Sequence, residues 1–191
     1  MKKLELPLDE STVRSLKVGD EVALTGILVT ARDAAHKFMM SNRPKWLQKL
    51  LKGTFVYHCG PVLTKERGKW KVVAAGPTTS IREEPYQADV IKRFGLRGAI
   101  GKGGMGAKTL SALKEHGGVY LHAVGGAAAV LSEAIKEVVD VHMLEEFGAP
   151  EAFWVMRVED FPAVVTMDSH GNSIHDKVLE ASTKKAQRLL K

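Results

Sequence analysis

The stretch RGAIGKGGMG (97–106), AKTLSALKEH (107–116) and GVYLHAVGG (118–126) decides the fold class. A short apolar run breaks on glycines, a segment of helical pattern follows, and a second apolar run ends in Val-Gly-Gly. Strand, helix and strand in that order form a βαβ-like centre, which predicts a mixed α/β fold.

Working upstream, a helix is predicted from about Pro85 to Phe94. Before it, TFVYHCGPVL (54–63), KERG (65–68) and KWKVVAAGPTTS (69–80) read as two strands joined by a Gly-containing turn, each interrupted by a Gly-Pro pair. A basic amphipathic helix follows Pro44 and ends at Gly53, and Asp33 is a candidate cap for AAHKFMMS (34–41). EVALTGILVTA (21–31) reads as a buried strand that ends at Arg32, preceded by the turn KVGD and a short helix from an Asp9 cap through about Leu16. Downstream, AAAVLSEAIK (127–136) reads as a small-residue helix, followed by a strand at 152–158, a turn at EDFP and a strand at 162–167. The turn DSHGNS then leads to a last helix reaching Leu190. At 191 residues, one domain over 1–191 is expected.

Composition excludes several classes. MKKLELPLDEST has no apolar run after its lysines, and no stretch approaches the ~18 to 20 apolar residues of a membrane span. No membrane association and a cytoplasmic location are expected. Cys59 is the one cysteine, so an internal disulfide and a Cys-only metal or iron–sulfur site within this chain are excluded. The net charge of +6 invites a nucleic-acid reading, but the basic residues are scattered or lie on helices such as KWLQKLLK (45–52) and KKAQRLLK (184–191), without interleaved aromatics. No nucleic-acid partner is expected.

Three loops carry the candidate chemistry. GKGGMG (101–106) satisfies G-x-G-x-x-G, yet the strand after it supplies no carboxylate for a ribose, and Lys102 is followed by Gly103 instead of the Ser or Thr of a Walker loop. What remains is a glycine-rich approach to a ligand, a helix N-terminus offering N–H groups to an anion, and the charge of Lys102. In GPTTSIR (76–82), Thr78, Thr79 and Ser80 offer hydroxyls and Arg82 a planar cation. The alternative there is a capping box between Thr79 or Ser80 and Glu83. In TARDAAH (30–36), Arg32 stands where a buried strand gives way to a loop, and its alternative fate is an ion pair with Asp33 or a nearby acid. Two arginines, a lysine and paired threonines at strand ends suit a ligand with two carboxylates. The seven histidines show no metal-ligand spacing, His36, His58 and His170 read as structural or surface groups, and Cys59 reads as a buried small hydrophobe.

Taken in order, TARDAAH, YHCGPV, AAGPTTSIR, GAIGKGG and FPAVVTMDSHGNSIH resemble the β subunit of class I fumarate hydratases and L-tartrate dehydratases over nearly the whole chain. The resemblance implies an α/β fold of the swivelling β/β/α type. It also implies a hydro-lyase active only with an α subunit, which carries a [4Fe-4S] cluster through three cysteines; this chain itself would bind no metal or cofactor. The open iron of that cluster would act as a Lewis acid on the departing or attacking oxygen. The substrate would be a small C4 dicarboxylate, fumarate and L-malate as in the tricarboxylic acid cycle, or tartrate, which the residues after TARDAAH do not separate. The assembly would be a hetero-oligomer. Arg32, Arg82, Thr78, Thr79 and Lys102 would hold the substrate, with Thr78, Thr79 and Lys102 the catalytic candidates in this chain. The reading from a different class is a stand-alone module binding an anion or a nucleotide.

Overall fold

The computed structural model describes residues 1–190. Its centre is a run of parallel strands, β2 (Glu21–Thr30), β3 (Phe55–Tyr57), β6 (Gly98–Gly101) and β7 (Val119–His122), hydrogen-bonded in that order. The long β9 (Phe153–Met167) pairs antiparallel with β7 at one edge and with β2 at the other, so the sheet closes into a small barrel. β1 (Lys2–Glu5) adds to β2, β8 (Ile135–His142) adds to the first half of β9, and β4 (Val62–Glu66) with β5 (Lys69–Ala74) makes a separate hairpin.

Alternation along the short strands divides two cores. Phe55, Tyr57, Ile100 and Leu121 point inward, where they meet Leu28, Trp154, Met156 and Phe161. Val56, Ala99 and Tyr120 point outward, and with Val29 they are covered by Ala35 and Met39 of α2 (Asp33–Ser41) and by Leu47 and Leu51 of α3 (Lys45–Leu51). Val90, Ile91 and Phe94 of α4 (Glu84–Phe94) and Leu113 of α5 (Ala107–His116) complete that cover. Antiparallel strands, parallel strands and helices are thus the three layers of a β/β/α fold, and the α/β class expected from the central stretch is what the chain adopts. β6 and β7 approach so closely that a Cβ on Gly98 would lie 1.7 Å from the Val119 carbonyl oxygen. No described helix is long and apolar enough to cross a membrane.

Most elements fall where the sequence puts them. Asp9 caps α1 (Glu10–Ser15) by accepting from the Thr12 N–H, and α5 has the bounds read from the central stretch. Four expectations are corrected. Asp33 is the first residue of α2 and not its cap; Arg32 holds the cap position and makes no side-chain capping bond. TFVYHCGPVL is two strands, because Gly60-Pro61 ends β3 and sends the chain into the β4–β5 hairpin. EDFP is no turn: β9 runs through it, bent where Asp160 takes φ 48° and its N–H finds the Thr25 hydroxyl at 3.1 Å. Pairing with β2 along most of its length overrides the local turn signal. The helix at 127–136 stops at Glu133, and Ile135 opens the unforeseen β8. α8 (Ile174–Leu189) is the last helix.

Candidate functional site

The parallel strands all end at one edge of the barrel, the place where open α/β sheets gather ligand groups. β2 delivers Arg32, β3 delivers His58 and β6 delivers Lys102. The segment after β5 is threaded between the last two. Thr78 donates to the His58 carbonyl from its N–H at 2.7 Å and from its hydroxyl at 3.0 Å. Lys102 N–H donates to the Thr78 carbonyl at 3.2 Å, and Ser80 N–H donates to the Lys102 carbonyl at 3.0 Å, so Thr79 and Lys102 form a parallel bridge. Thr78, Thr79 and Lys102 are therefore fixed together by backbone bonds, with Thr79 exposed and Lys102 partly so.

Each of the two arginines has an acid of this chain beside it. Arg82, exposed on the 3-10 turn at Ser80–Glu83, pairs with Asp33, the neighbour of Arg32. Arg32 Nε lies 3.4 Å from Glu151 Oε1, and the other Glu151 oxygen accepts from the Ala34 N–H at 2.9 Å. The ion pair weighed for Arg32 thus exists, with Glu151, while Asp33 goes to Arg82. Lys102 has no ion-pair partner among the described residues.

Two other readings of these loops are overturned. Thr79 holds the cap position of the 3-10 turn but makes no side-chain capping bond among the described residues, and Ser80 is the first residue of that turn, so no capping box forms. The Ser80 hydroxyl is buried instead between His58 Nδ1 and the donating Tyr120 hydroxyl, each at 2.8 Å. The N-terminus of α5 does not offer its N–H groups to a ligand, because Glu84 already occupies it. Its carboxylate accepts from the N–H groups of Gly106 at 2.7 Å, Lys108 at 3.0 Å and Thr109 at 3.2 Å, and from the Thr109 hydroxyl at 2.6 Å. A carboxylate on the helix dipole does what a phosphate would do there. Glu84→Ala is expected to lower stability by about 1–2 kcal/mol, read from a urea midpoint, with α5 losing amide-exchange protection first.

Behind the loops the sequence reading left three groups without a role. Gln87 Oε1 lies 3.0 Å from His36 Nε2 and 2.9 Å from His58 Nε2, all three side chains being buried. Burial lowers the pKa of His36, and burial with the neighbouring His36 lowers that of His58 to about 3. Glu83, 2 % exposed, is pushed up to about 8 by burial and then by the Asp33 and Glu151 charges, against the opposing Arg82. A carboxyl whose folded pKa exceeds its ordinary 4.5 stabilises the fold at low pH and loses that contribution as pH rises through about 8. Glu83→Gln is therefore expected to raise the melting temperature relative to the parent above pH 8, with the difference shrinking toward pH 5. A constant difference across a pH series of melts would contradict it.

The implied iron–sulfur cluster finds no fit in these residues. Cys59 is 1 % exposed and its thiol is pushed up to about 12 by burial, despite Arg32 nearby. No group of three or more His, Cys, Asp or Glu among the described residues could hold a metal ion.

Comparison with known proteins meets this geometry. The family model described as Fumarase C-terminus matches residues 2–178. A putative class I fumarate hydratase of Geobacillus stearothermophilus is 57% identical over 183 residues, 95% of this chain and 35% of that protein, so the chain spans about a third of that relative. A putative L(+)-tartrate dehydratase subunit beta of Methanocaldococcus jannaschii is 40% identical, with 96% of this chain and 95% of the relative covered. The L(+)-tartrate dehydratase subunit beta of Escherichia coli is 36% identical, with 91% and 87% covered. With the match running from β1 into α8 and through every loop of the site, the chain belongs to the fumarase C-terminus family.

Proposed function

We propose that this chain is the β subunit of an iron–sulfur hydro-lyase that reversibly hydrates a C4 dicarboxylate, fumarate to L-malate. The observation that carries the reading is the gathering of Thr78, Thr79 and Lys102 by one backbone bridge at the strand ends, with Arg32 and Arg82 at the same edge and Lys102 unpaired among the described residues. In this reading residues 1–191 act as one domain, supported by the pairing of β2 with β9 near the two ends of the chain. The protein works in the cytoplasm in a hetero-oligomer, and the cluster belongs to the partner α subunit.

The guanidinium groups of Arg32 and Arg82 each present planar donor pairs that match a carboxylate. Their in-chain acids hold them in place until the substrate competes for the remaining donors. In dehydration a proton leaves one substrate carbon, hydroxide leaves the next, and negative charge builds on the carboxylate beside the carbon that lost the proton. Lys102 stabilises that charge. Of the two threonines, Thr78 already donates its hydroxyl to the His58 carbonyl, whereas Thr79 is exposed and makes no capping bond. Thr79 is the better base candidate in this chain, activated by the adjacent Lys102 cation.

Anaerobic co-expression with a cysteine-bearing α partner, followed by assays of malate and tartrate dehydration, tests the reading. Malate turnover by the complex and none by the chain alone is expected; a loaded complex inert toward both substrates would defeat it. Tartrate is the second reading, favoured by the near full-length match to two proteins named as tartrate dehydratase β subunits. A stand-alone nucleotide module is disfavoured by Glu84, which fills the helix N-terminus such a module would use.

A further inference from the structure

The buried chain of polar groups under the site joins its two halves. His36, on α2, sets Nδ1 2.9 Å from the Arg32 carbonyl, and His58, at the end of β3, sets Nδ1 2.8 Å from the Ser80 hydroxyl. Between the rings, on α4, stands the Gln87 amide. One ring thus holds the loop of Arg32, the other holds the loop of Thr78, Thr79 and Arg82, and a single side chain spans both.

We propose that Gln87 is a positioning residue for the reaction, donating from its amide nitrogen to both imidazoles and so fixing the Arg32 loop and the Thr78–Arg82 loop in one register. The inference rests on the hydro-lyase reading above.

Proton counting supports the direction of these bonds. The Arg32 carbonyl can only accept, so His36 Nδ1 carries the proton, and Nε2 of a neutral ring is then a bare lone pair. Burial keeps both rings neutral. An amide oxygen cannot satisfy that lone pair, and in that setting Gln87 Nε2 is buried with no partner among the described residues. Turned the other way, the amide brings two N–H protons to two lone pairs, and His58 Nδ1–H donates to Ser80. The groups facing the pair are few. His36 meets Glu83 at 3.3 Å, the Asp33 charge, the Tyr86 ring at 6.5 Å and the His58 ring at 5.2 Å. His58 meets Tyr120 through Ser80.

The test has two arms. In the wild-type full chain, imidazole nitrogen-15 shifts are expected to show His36 and His58 neutral with the proton on Nδ1 from about pH 6 to about pH 8; an imidazolium or an Nε2–H tautomer at either ring overturns the proposal. In the complex with the α partner, Gln87→Leu is expected to lower kcat about a hundredfold with a smaller change in KM, while unfolding stays cooperative. Gln87→Glu brings only acceptors, so its activity is expected to recover as pH falls and the rings protonate, a shift that a purely structural role would not give. Folded variants that both match wild-type kcat and KM at every pH overturn the proposal. If Gln87→Leu does not fold, the Gln87→Glu profile and the imidazole shifts decide. A wild-type complex inert toward malate and tartrate defeats the hydro-lyase reading instead, and the imidazole shifts then decide the clamp.

Discussion

Lys102→Ala is expected to lower turnover of the assembled enzyme about a hundredfold to a thousandfold, ~3–4 kcal/mol of transition-state stabilisation, with the fold intact. The separation of the two effects follows from how Lys102 is held. Its backbone N–H and carbonyl bond to Thr78 and Ser80, so the bridge survives loss of the side chain. No acid among the described residues pairs with the ammonium, so removing it strands no buried charge in this chain. Arg82→Ala acts in the same direction but mixes two causes, because it also releases Asp33 against the neighbouring Glu83. Steady-state kinetics with a parallel melting curve checks the prediction; turnover within a few-fold of the parent would remove Lys102 from the site.

Gly101→Ala should do the opposite, damaging structure and activity together. A Cβ there would lie 1.9 Å from Ser80 Oγ, 3.1 Å from the Tyr120 hydroxyl and 3.2 Å from His58 Nδ1. The methyl group can fit only by expelling the Ser80 hydroxyl, which leaves the Tyr120 and His58 groups without their shared partner. Overpacking and a lost pair of buried hydrogen bonds together are expected to cost about 3 kcal/mol. The strand carrying Lys102 would shift with it, so turnover falls too. Adding Ser80→Gly makes room for the methyl group and should restore part of the stability, but not the hydrogen bonds. A single variant that melts and turns over like the parent would show that the loop tolerates the added volume.

What was legible in the sequence was local. The central helix, the Asp9 cap and the strand ending at Arg32 all rest on periodicity or capping chemistry within a few residues. β8 was not legible because its period of two is broken twice, between Ile135 and Glu137 and again between Val138 and Asp140, where the register with β9 shifts. The bend in β9 looked like a turn because the β2 partner that keeps it a strand lies far away in the chain. The site divides the same way. Arg32, Thr78, Thr79, Arg82 and Lys102 stood out by residue type at strand ends, and the fold brings them to one edge. Asp33 was named as an ion-pairing acid, though it goes to Arg82 and not to Arg32; the acid that holds Arg32 did not stand out, since Glu151 lies 117 residues from its Ala34 contact. Gln87 carries no signal at all until the fold places two imidazoles against it. Glu84 was hidden by its neighbour: Glu83 resembled the acid of a capping box, while the carboxylate that caps a helix is the next one along, and the helix is α5.

Whether these loops hold the substrate is decided by the structure of the anaerobic complex with a bound C4 dicarboxylate. Substrate carboxylate oxygens are expected within hydrogen-bond distance of Lys102 and of the Arg32 and Arg82 guanidinium groups, with the Thr79 hydroxyl against the reacting carbon. A dicarboxylate seated elsewhere, touching none of the loops that end β2, β5 and β6, would contradict it.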